Sequence, residues 1–306
     1  MRYIFGPVSS RRLGFSLGID IVPLKTCSFD CIYCECGKTT EKTIEIKEWA
    51  PVEEIIKELK EALKNNKEID HITITGSGEP TLHSKIEDII SKIKDTTRIP
   101  VAVLTNGSLL HLKKVREALL KADIILPSLD AVSDVTFRKI NRPHKSIKVR
   151  KMINGLKKLR KEYKGKIFLE ILFVKGVNDT KEEIFKLKRE IKNISPDKIH
   201  LNTVIRPGTE KFSLPLSYEE LLKIKEIFGE KTEVISSGIK EKKEEIYSDK
   251  IEFIKNLLKR RPLTSDDISA SLGIDKEKIG KILHALLEKG EIRNYSFNDK
   301  VFFVRK

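Results

Sequence analysis

Cysteine is confined to one short stretch of this 306-residue chain. All four cysteines lie between positions 27 and 36, in CSFDCIYCEC, and the rest of the sequence contains none. Disulfides are rare in cytoplasmic proteins, which is the class that we expect for this chain, so the four cysteines are not interpreted as a disulfide framework. The clustering instead directs attention to chemistry that needs several sulfur atoms side by side.

Long apolar runs are also missing. No run approaches the roughly 20 residues that span a bilayer, and the N-terminal MRYIFGPVSSRRLGF lacks the apolar stretch of a secretory signal. We therefore expect a soluble cytoplasmic protein. Low-complexity tracts and internal repeats of roughly 20–50 residues are absent too, so a repeat architecture is not expected.

Tryptophan and methionine are rare, whereas charged residues are abundant: the chain has one Trp, two Met and 34% charged residues. This composition is typical of thermophile proteins, which weakens any functional interpretation of the net charge of +15. The charge is nevertheless uneven, because residues 138–166 contain thirteen Lys or Arg and a single acid, Glu162. This segment is interpreted either as a solvated helix face or as a surface for an anionic partner such as RNA.

The spacing of three cysteines, Cys27, Cys31 and Cys34, is C-x3-C-x2-C. Three thiolates on one tight loop suit a soft metal or an iron–sulfur cluster. A tetrahedral zinc ion needs a fourth ligand, but His71 and His83 are remote in the sequence and no second C-x2-C pair exists. The better interpretation is a [4Fe–4S] cluster held by three cysteines, with one iron open to a substrate or cofactor.

The fourth cysteine, Cys36, is a poor ligand for the same cluster. A C-x-C pair directly after C-x2-C would be a strained closure. We interpret Cys36 as a bystander, with a substrate-facing or redox-active thiol as the alternative.

Strands and helices alternate after the cysteine loop. Helices are predicted at 52–65, 86–94, 112–121, 149–163, 182–193 and 219–228. Strands are predicted at 71–76, 101–107, 123–131, 167–176 and 198–205, with a first strand near GIDIVP. The alternation implies right-handed βαβ units and a parallel sheet of six β/α units, with ligands at the carboxyl ends of the strands.

The cysteine spacing, with the aromatic Tyr33 just before the last cysteine, resembles the radical S-adenosylmethionine (SAM) superfamily. The stretches GFSLGIDIVPLKTCSFDCIYC, GSGEPTL, TNGSLL and SLDA look closest to uncharacterised iron–sulfur oxidoreductases related to the wyosine-base tRNA synthase family. The resemblance implies a partial (β/α)6 barrel and a [4Fe–4S] cluster on Cys27, Cys31 and Cys34. It also implies that SAM binds the open iron and is cleaved to a 5′-deoxyadenosyl radical, with a ferredoxin- or flavodoxin-like protein as one-electron reductant.

Several polar or glycine-rich segments follow the predicted strands, and the resemblance implies that they bind SAM. The residues concerned are Tyr33, Gly78, Glu79, Pro80, Asn106, Ser128, Asp130 and Asn202. Glu79 is expected near the SAM amino group, although Ser77 splits the glycine pair of the family motif. Ser128 is expected near the SAM ribose or carboxylate, and Asp130 near the ribose or the substrate.

The sequence does not decide between alternative roles for three further charged residues. Arg11 and Arg12 precede the cysteine loop and are interpreted either as anion contacts or as cover for a sheet edge. Glu170 lies in the apolar segment FLEILFV, and a carboxylate there is expected to face the barrel interior, paired or directed at a ligand.

The last part of the chain has a different pattern. We expect a radical SAM domain at 1–235, a linker at 236–248, and a winged helix-turn-helix domain at 249–306, which ends in a β-hairpin turned by Asn298 and Asp299. Nucleic acid is the partner expected by analogy. However, residues 247–306 contain thirteen Lys or Arg against nine Asp or Glu, so a peptide-binding or barrel-packing role stays open.

Three functional hypotheses follow. The first is a radical SAM enzyme that modifies RNA, in particular tRNA, which binds through the basic segment 138–166. The second is a peptide- or protein-modifying radical SAM enzyme with the winged helix as its peptide-binding module. The third is an iron–sulfur redox-sensing DNA-binding regulator, against which the GSGEP motif and the six β/α units argue.

Overall fold

The computed structural model describes residues 2–65, 68–75, 77–235 and 250–306. Within these residues, eight strands form one sheet in the order β1-β2-β5-β6-β7-β8-β9-β10. The strands are β1 (Ile4–Ser10), β2 (Gly14–Asp20), β5 (His71–Thr75), β6 (Val101–Thr105), β7 (Ile124–Pro127), β8 (Lys166–Phe173), β9 (Lys198–Thr203) and β10 (Thr232–Val234), and the two-residue strands β3 (Thr26–Cys27) and β4 (Glu41–Lys42) pair separately.

The sheet is parallel from β2 to β10, and only its first strand, β1, runs antiparallel to its neighbour. Helices cover the parallel strands: α1 (Val52–Asn65), α2 (Ile86–Thr96), α3 (Lys113–Leu119), α4 (Asp134–Asn141), α5 (Val149–Glu162), α6 (Lys181–Ile194) and α7 (Tyr218–Phe228). The alternating elements and the parallel sheet predicted from the sequence are therefore confirmed. Strand β1, strand β10 and helix α4 were not predicted.

The helices form where apolar residues recur on one face and polar side chains cap the ends. In α7 the Ser217 side chain accepts from the Glu220 amide, and the Glu220 side chain accepts from the Ser217 amide, which closes a capping box. In α5 the buried residues Met152, Leu156 and Leu159 face the sheet while the lysines and arginines face outward.

The C-terminal segment folds as three helices and a hairpin: α8 (Lys250–Arg260), α9 (Ser265–Leu272), α10 (Lys276–Glu288), β11 (Ile292–Phe297) and β12 (Lys300–Arg305). Thr264 caps α9 and Gly273 ends it with a φ of 66°. Asn298 and Asp299 turn the hairpin with positive φ angles of 46° and 58°. We call residues 250–306 the C-terminal module.

The C-terminal module packs against the first strand of the sheet. Val8 of β1 lies in the same apolar cluster as Ile254, Leu258 and Ile268 of the module. The linker predicted at 236–248, and residue 249 at the start of the last predicted domain, lie outside the described residues. In the part of the chain that the structure describes, every helix is too short or too polar to cross a membrane.

Candidate functional site

The cysteine loop lies at the carboxyl end of the parallel sheet, against the turn that follows β5. The Glu79 amide donates to the Thr26 carbonyl at 3.0 Å, and the Lys25 amide donates to the Ser77 carbonyl at 2.6 Å. A Cβ atom at Gly78 would stand 2.0 Å from the Thr26 carbonyl oxygen. Only glycine therefore allows the two backbones to approach this closely.

Two asparagines donate to the cysteine sulfurs. Asn106 Nδ2 lies 3.5 Å from Cys27 Sγ, and Asn141 Nδ2 lies 3.4 Å from Cys31 Sγ. Burial raises the pKa of Cys27 to about 12, with Glu79 adding to the effect. Burial also raises the pKa of Cys31 well above its ordinary value.

Cys34, the third predicted ligand, contacts the sulfur of another cysteine, Cys36. The Cys36 thiol is hydrogen-bonded to Cys34, and this contact lowers the pKa of Cys34 while it raises that of Cys36. Cys36 is therefore next to the predicted ligand set, and its side chain lines a cavity on the barrel side of the loop.

The donor set suits a cluster better than a single ion. Among the described residues, no three His, Cys, Asp or Glu side chains converge as ligands of one metal ion. The three thiols are nevertheless close together, since Cys34 raises the pKa of Cys27, and both Cys34 and Cys27 raise the pKa of Cys31. Each iron of a [4Fe–4S] cluster takes its own thiolate, so the sulfurs need not meet at one point.

Glu79 is 1% exposed and is held by donors from two loops. Its Oε1 accepts from the Thr81 amide at 3.0 Å, from Thr81 Oγ1 at 2.6 Å and from Thr105 Oγ1 at 2.6 Å. Its Oε2 accepts from the Asn106 amide at 2.7 Å, and Pro80 begins the short 3-10 turn that follows. Four protein donors thus position Glu79, and Oε2 keeps the greater capacity to accept another hydrogen bond.

Asp130 lies behind the cysteine loop and is 2% exposed. It accepts from Tyr33 Oη at 2.5 Å, from Asn141 Nδ2 at 2.7 Å and from the Leu172 amide at 2.9 Å. Burial raises the pKa of Asp130 to about 6, and these donors oppose the rise. The structure therefore joins Tyr33 and Asp130 in one network, which reaches Cys31 through Asn141.

The remaining SAM-binding candidates, Ser128 directly after β7 and Asn202 on β9, are separated in the sheet by β8. Ser128 is half-buried, and its amide donates to the Thr105 carbonyl at 3.0 Å. Asn202 donates to Glu170 Oε1 at 3.1 Å, and Arg12 binds both oxygens of Glu170. Glu170 is thus paired with Arg12 and Asn202, which agrees with one of the two interpretations of this residue from the sequence.

Ion pairs join the cysteine loop, the end of β9 and the C-terminal module. Arg206 Nη1 lies 3.1 Å from Glu35 Oε2, and Arg206 Nη2 lies 3.3 Å from Asp267 Oδ1. Arg260 of the module lies 2.6 Å from Asp20 at the end of β2. Sequence reasoning missed these contacts, because each joins residues far apart in the chain that no local pattern connects.

A cavity of about 520 Å³ lies between the inner face of the sheet and the C-terminal module. Its wall includes Asp20 and Thr73 from neighbouring strands, Cys36 from the cysteine loop and Arg260 from the module. A cavity of this size accommodates a small molecule or one residue of a polymer. It opens beside the predicted cluster loop.

The basic segment 138–166 runs from the loop after α4, where the His144 amide donates to the Ser28 carbonyl at 2.8 Å, along the outer face of α5. Four of its cations pair with carboxylates: Arg138 with Asp134, Arg142 with Glu210, Lys157 with Glu190, and Arg160 with Asp197. The other nine are exposed and have no carboxylate partner within the described residues: Lys139, Lys145, Lys148, Arg150, Lys151, Lys158, Lys161, Lys164 and Lys166.

The sequence matches one protein-family model and is similar to several known proteins. The family model of the radical SAM superfamily matches residues 21–188. A UPF0026 protein of Methanocaldococcus jannaschii is 36% identical over 312 residues, which cover 100% of this chain and 96% of that protein. A protein named GTPase Obg of Brachyspira hyodysenteriae is 41% identical over 301 residues, which cover 96% of this chain but only 44% of that protein.

Solved structures of similar fold include SuiB of Streptococcus suis bound to its precursor peptide SuiA. The two chains superpose with a TM-score of 0.56 and 17% identity, over 74% of this chain and 50% of SuiB. At this identity the likeness concerns the fold alone. The site itself therefore has to be argued from the residues of this chain.

Proposed function

Since the chain belongs to the radical SAM superfamily, we propose that it is a radical SAM enzyme that modifies RNA, with tRNA as the favoured substrate. Enzymes of this superfamily use a [4Fe–4S] cluster and SAM. The observation that carries the proposal for this chain is the cysteine loop at the carboxyl end of the parallel sheet, where the sulfurs of Cys27 and Cys31 are buried beside amide donors.

In this proposal Cys27, Cys31 and Cys34 hold the cluster, which supplies the electron that cleaves SAM when both are bound. Asn106 and Asn141 hold the first two sulfurs in place by N–H to S hydrogen bonds. A ferredoxin- or flavodoxin-like protein donates the electron. Asn106 and Asn141 would thereby orient the sulfurs that hold the cluster.

SAM is proposed to lie against the loops after β5, β6, β7 and β9. The residues concerned are Tyr33, Gly78, Glu79, Pro80, Asn106, Ser128, Asp130 and Asn202. Glu79 supports this arrangement, because Oε2 retains acceptor capacity for the SAM amino group. Tyr33 and Asp130 are proposed to act by holding the loop, since each is the other's hydrogen-bond partner.

Cleavage chemistry is tested with the reconstituted enzyme. Anaerobically reconstituted protein that is reduced with dithionite should bind SAM and form 5′-deoxyadenosine, measured by chromatography. Protein that loads the cluster but neither binds nor cleaves SAM would contradict the enzyme proposal.

The nine exposed, unpaired cations of segment 138–166 support the choice of RNA. Phosphate groups bind such a surface with a strong dependence on salt, because binding releases condensed counterions. The surface begins at the loop that contacts the cysteine loop through His144 and Ser28. An RNA bound along α5 would therefore reach the site without leaving the basic surface.

The RNA proposal is tested by reversing charge at Lys148, Arg150 and Lys151 to Glu. The slope of log affinity against log salt for tRNA should become shallower by about 2–3, because roughly one counterion is released per lost phosphate contact. The matched control reverses Lys57, Lys60 and Lys64, exposed lysines of α1. Equal effects of both variants, or no salt-sensitive binding of the wild type, would remove RNA as the substrate.

A peptide is the second candidate substrate, and the charge distribution of α10 favours it. Lys281 pairs with Glu277 at 2.8 Å, and Lys276 pairs with Asp266 at 2.7 Å. These pairs leave little net positive charge on the helix that a nucleic-acid-binding winged helix would place in a groove.

We propose that the C-terminal module is a winged helix at 249–306 after a linker at 236–248, with packing on the barrel as its main role. A DNA-binding regulator is not proposed.

A further inference from the structure

One guanidinium in the cavity wall lacks the carboxylate that every neighbouring arginine has. Arg12 pairs with Glu170, Arg260 pairs with Asp20, and Arg261 lies 3.7 Å from Glu35. Arg206 bridges two acids, as described above. Arg11 lines the same cavity and, among the described residues, has no acidic side chain within ion-pair distance.

Arg11 is anchored through only one of its nitrogens. Its Nη1 donates to Asn202 Oδ1 at 3.3 Å and to the Ile235 carbonyl at 3.0 Å. These contacts fix the side chain across the open edge of the barrel, between the β1–β2 turn and the residue after β10. Nε and Nη2 of Arg11 form no hydrogen bond to a described residue. These two nitrogens of the planar guanidinium can therefore donate to a ligand.

Two further donors in the same wall are buried and unpaired. Arg206 Nε and Ser9 Oγ have no hydrogen-bond partner within the described residues, and both residues line the cavity. The Arg206 side chain is 9% exposed, so water compensates little for the missing acceptor. The cavity wall thus contains a cation without an ion-pair partner and two donors without an acceptor among the described residues. A ligand with a negatively charged acceptor would satisfy these groups.

We propose that the cavity between the barrel and the C-terminal module binds an oxyanion of the substrate, a phosphate or a carboxylate, through Arg11, with Arg206 Nε and Ser9 Oγ as supporting donors. This inference rests on the proposed radical SAM function, because the cavity reaches the cysteine loop at Glu35 and Cys36. The substrate is thereby an anionic small molecule or an anionic unit of a polymer that fits a cavity of about 520 Å³.

The SAM carboxylate is a different oxyanion and has a separate place in the proposed function. The resemblance to the superfamily assigns it to the open iron of the cluster together with the SAM amino group. Arg11 contacts one proposed SAM residue, Asn202, through Nη1. Loss of Arg11 should therefore weaken SAM binding far less than binding of the oxyanion, which would contact Nε and Nη2 directly.

The test compares the wild type with Arg11→Gln by calorimetry on the full, cluster-loaded, unreduced chain. The probes are uridine 5′-monophosphate for a phosphate, N-acetylaspartate for a carboxylate, and SAM. We expect one oxyanion probe to bind the variant about 10- to 100-fold more weakly, as for loss of a charged hydrogen bond, with a much smaller change in SAM affinity. The probe whose affinity falls shows whether the oxyanion is a phosphate or a carboxylate.

The matched control is Arg98→Gln, because Arg98 is exposed and precedes β6 at the opposite end of the sheet. It should bind all probes as the wild type does. If Arg11→Gln does not fold, Arg11→Lys keeps the charge but loses the fork and should bind the probe with intermediate affinity.

Three results would overturn the inference: no probe oxyanion binds the wild type at millimolar concentration, probe affinity is independent of Arg11, or SAM affinity falls as far as that of the probe. Formation of 5′-deoxyadenosine is measured separately after reduction. A chain that binds the oxyanion through Arg11 but cleaves no SAM would refute the proposed function and leave the anion site standing.

Discussion

Arg206 and Glu35 form an ion pair of 3.1 Å that ties the end of β9 to the cysteine loop. Burial alone would raise the pKa of Glu35, but Arg206, Arg261 and Arg11 hold it at about 2. Arg206 also reaches Asp267, so one guanidinium joins the loop to the C-terminal module. The position of the module over the barrel is therefore coupled to the loop that carries the predicted cluster ligands.

The coupling between barrel and module is measurable through Asp20 and Arg260, which lie 2.6 Å apart and are largely buried. A double-mutant cycle of Asp20→Asn and Arg260→Gln should give an interaction energy of roughly 1–3 kcal/mol in urea unfolding, because each single variant leaves a buried charge unpaired. Arg293→Gln, at an exposed position of β11, should change the free energy of unfolding little. An interaction energy near zero would show that the module does not dock as described.

The roles of the four cysteines are separable by iron content and cluster absorbance. Cys27→Ala, Cys31→Ala and Cys34→Ala should each lose the cluster and SAM cleavage, since each removes one of three ligands. Cys36→Ala should retain both, because Cys36 contacts the cluster ligands only through its hydrogen bond with Cys34. Loss of iron in Cys36→Ala would make Cys36 a ligand, and retained cleavage in Cys34→Ala would remove Cys34 from the ligand set.

The reduction potential of the cluster should depend on Asn106, whose Nδ2 lies 3.5 Å from Cys27 Sγ. Asn106→Ala removes a donor that stabilises the more negative, reduced cluster. The potential should fall by roughly 20–65 mV, the one-electron equivalent of a hydrogen bond worth about 0.5–1.5 kcal/mol. Asn106→Asp should lower it further through its added negative charge. A potential unchanged in both variants, measured by electrochemical titration, would contradict the role of Asn106.

Binding of the oxyanion probe should weaken at alkaline pH. Burial lowers the pKa of Arg11 to about 9, with repulsion from Arg12 and Arg206 adding to the shift and Glu35 and Glu170 opposing it. Because the anion binds the protonated guanidinium, affinity should be full only well below pH 9 and decline as the pH rises through that value. The same titration of Arg11→Gln should be flat, and a flat profile for the wild type between pH 8 and about 10 would contradict the prediction.

Replacing each of two glycines with alanine should change the stability of the fold in opposite directions. Gly78→Ala places a methyl group 2.0 Å from the Thr26 carbonyl oxygen and should destabilise the fold by about 1–3 kcal/mol and reduce cluster loading. Gly280→Ala in α10 meets nothing within 4 Å and should stabilise it by about 0.5–1 kcal/mol. Thermal unfolding and iron content check both, and normal cluster loading in Gly78→Ala would contradict the close approach.

Local patterns predicted much of the fold. The apolar periodicity of α5 and α6 gave their type and nearly their bounds, because their buried faces are written at helical spacing. Strand β1 was missed, since its pairing with β2 depends on a partner several residues on and not on an alternating pattern of its own. The Asn298-Asp299 turn was predicted because turn chemistry is local.

The sequence by itself determined the chemistry that this chain can hold: three cysteines at C-x3-C-x2-C spacing, and a β/α alternation that brings the strand ends together. Only the tertiary structure decided what each polar side chain does there. It pairs Asp130 with Tyr33 and places Arg11 in a cavity wall where no carboxylate of the described residues lies within ion-pair distance of it. The reason is physical, because hydrogen bonds and ion pairs between distant residues depend on packing that no short segment encodes.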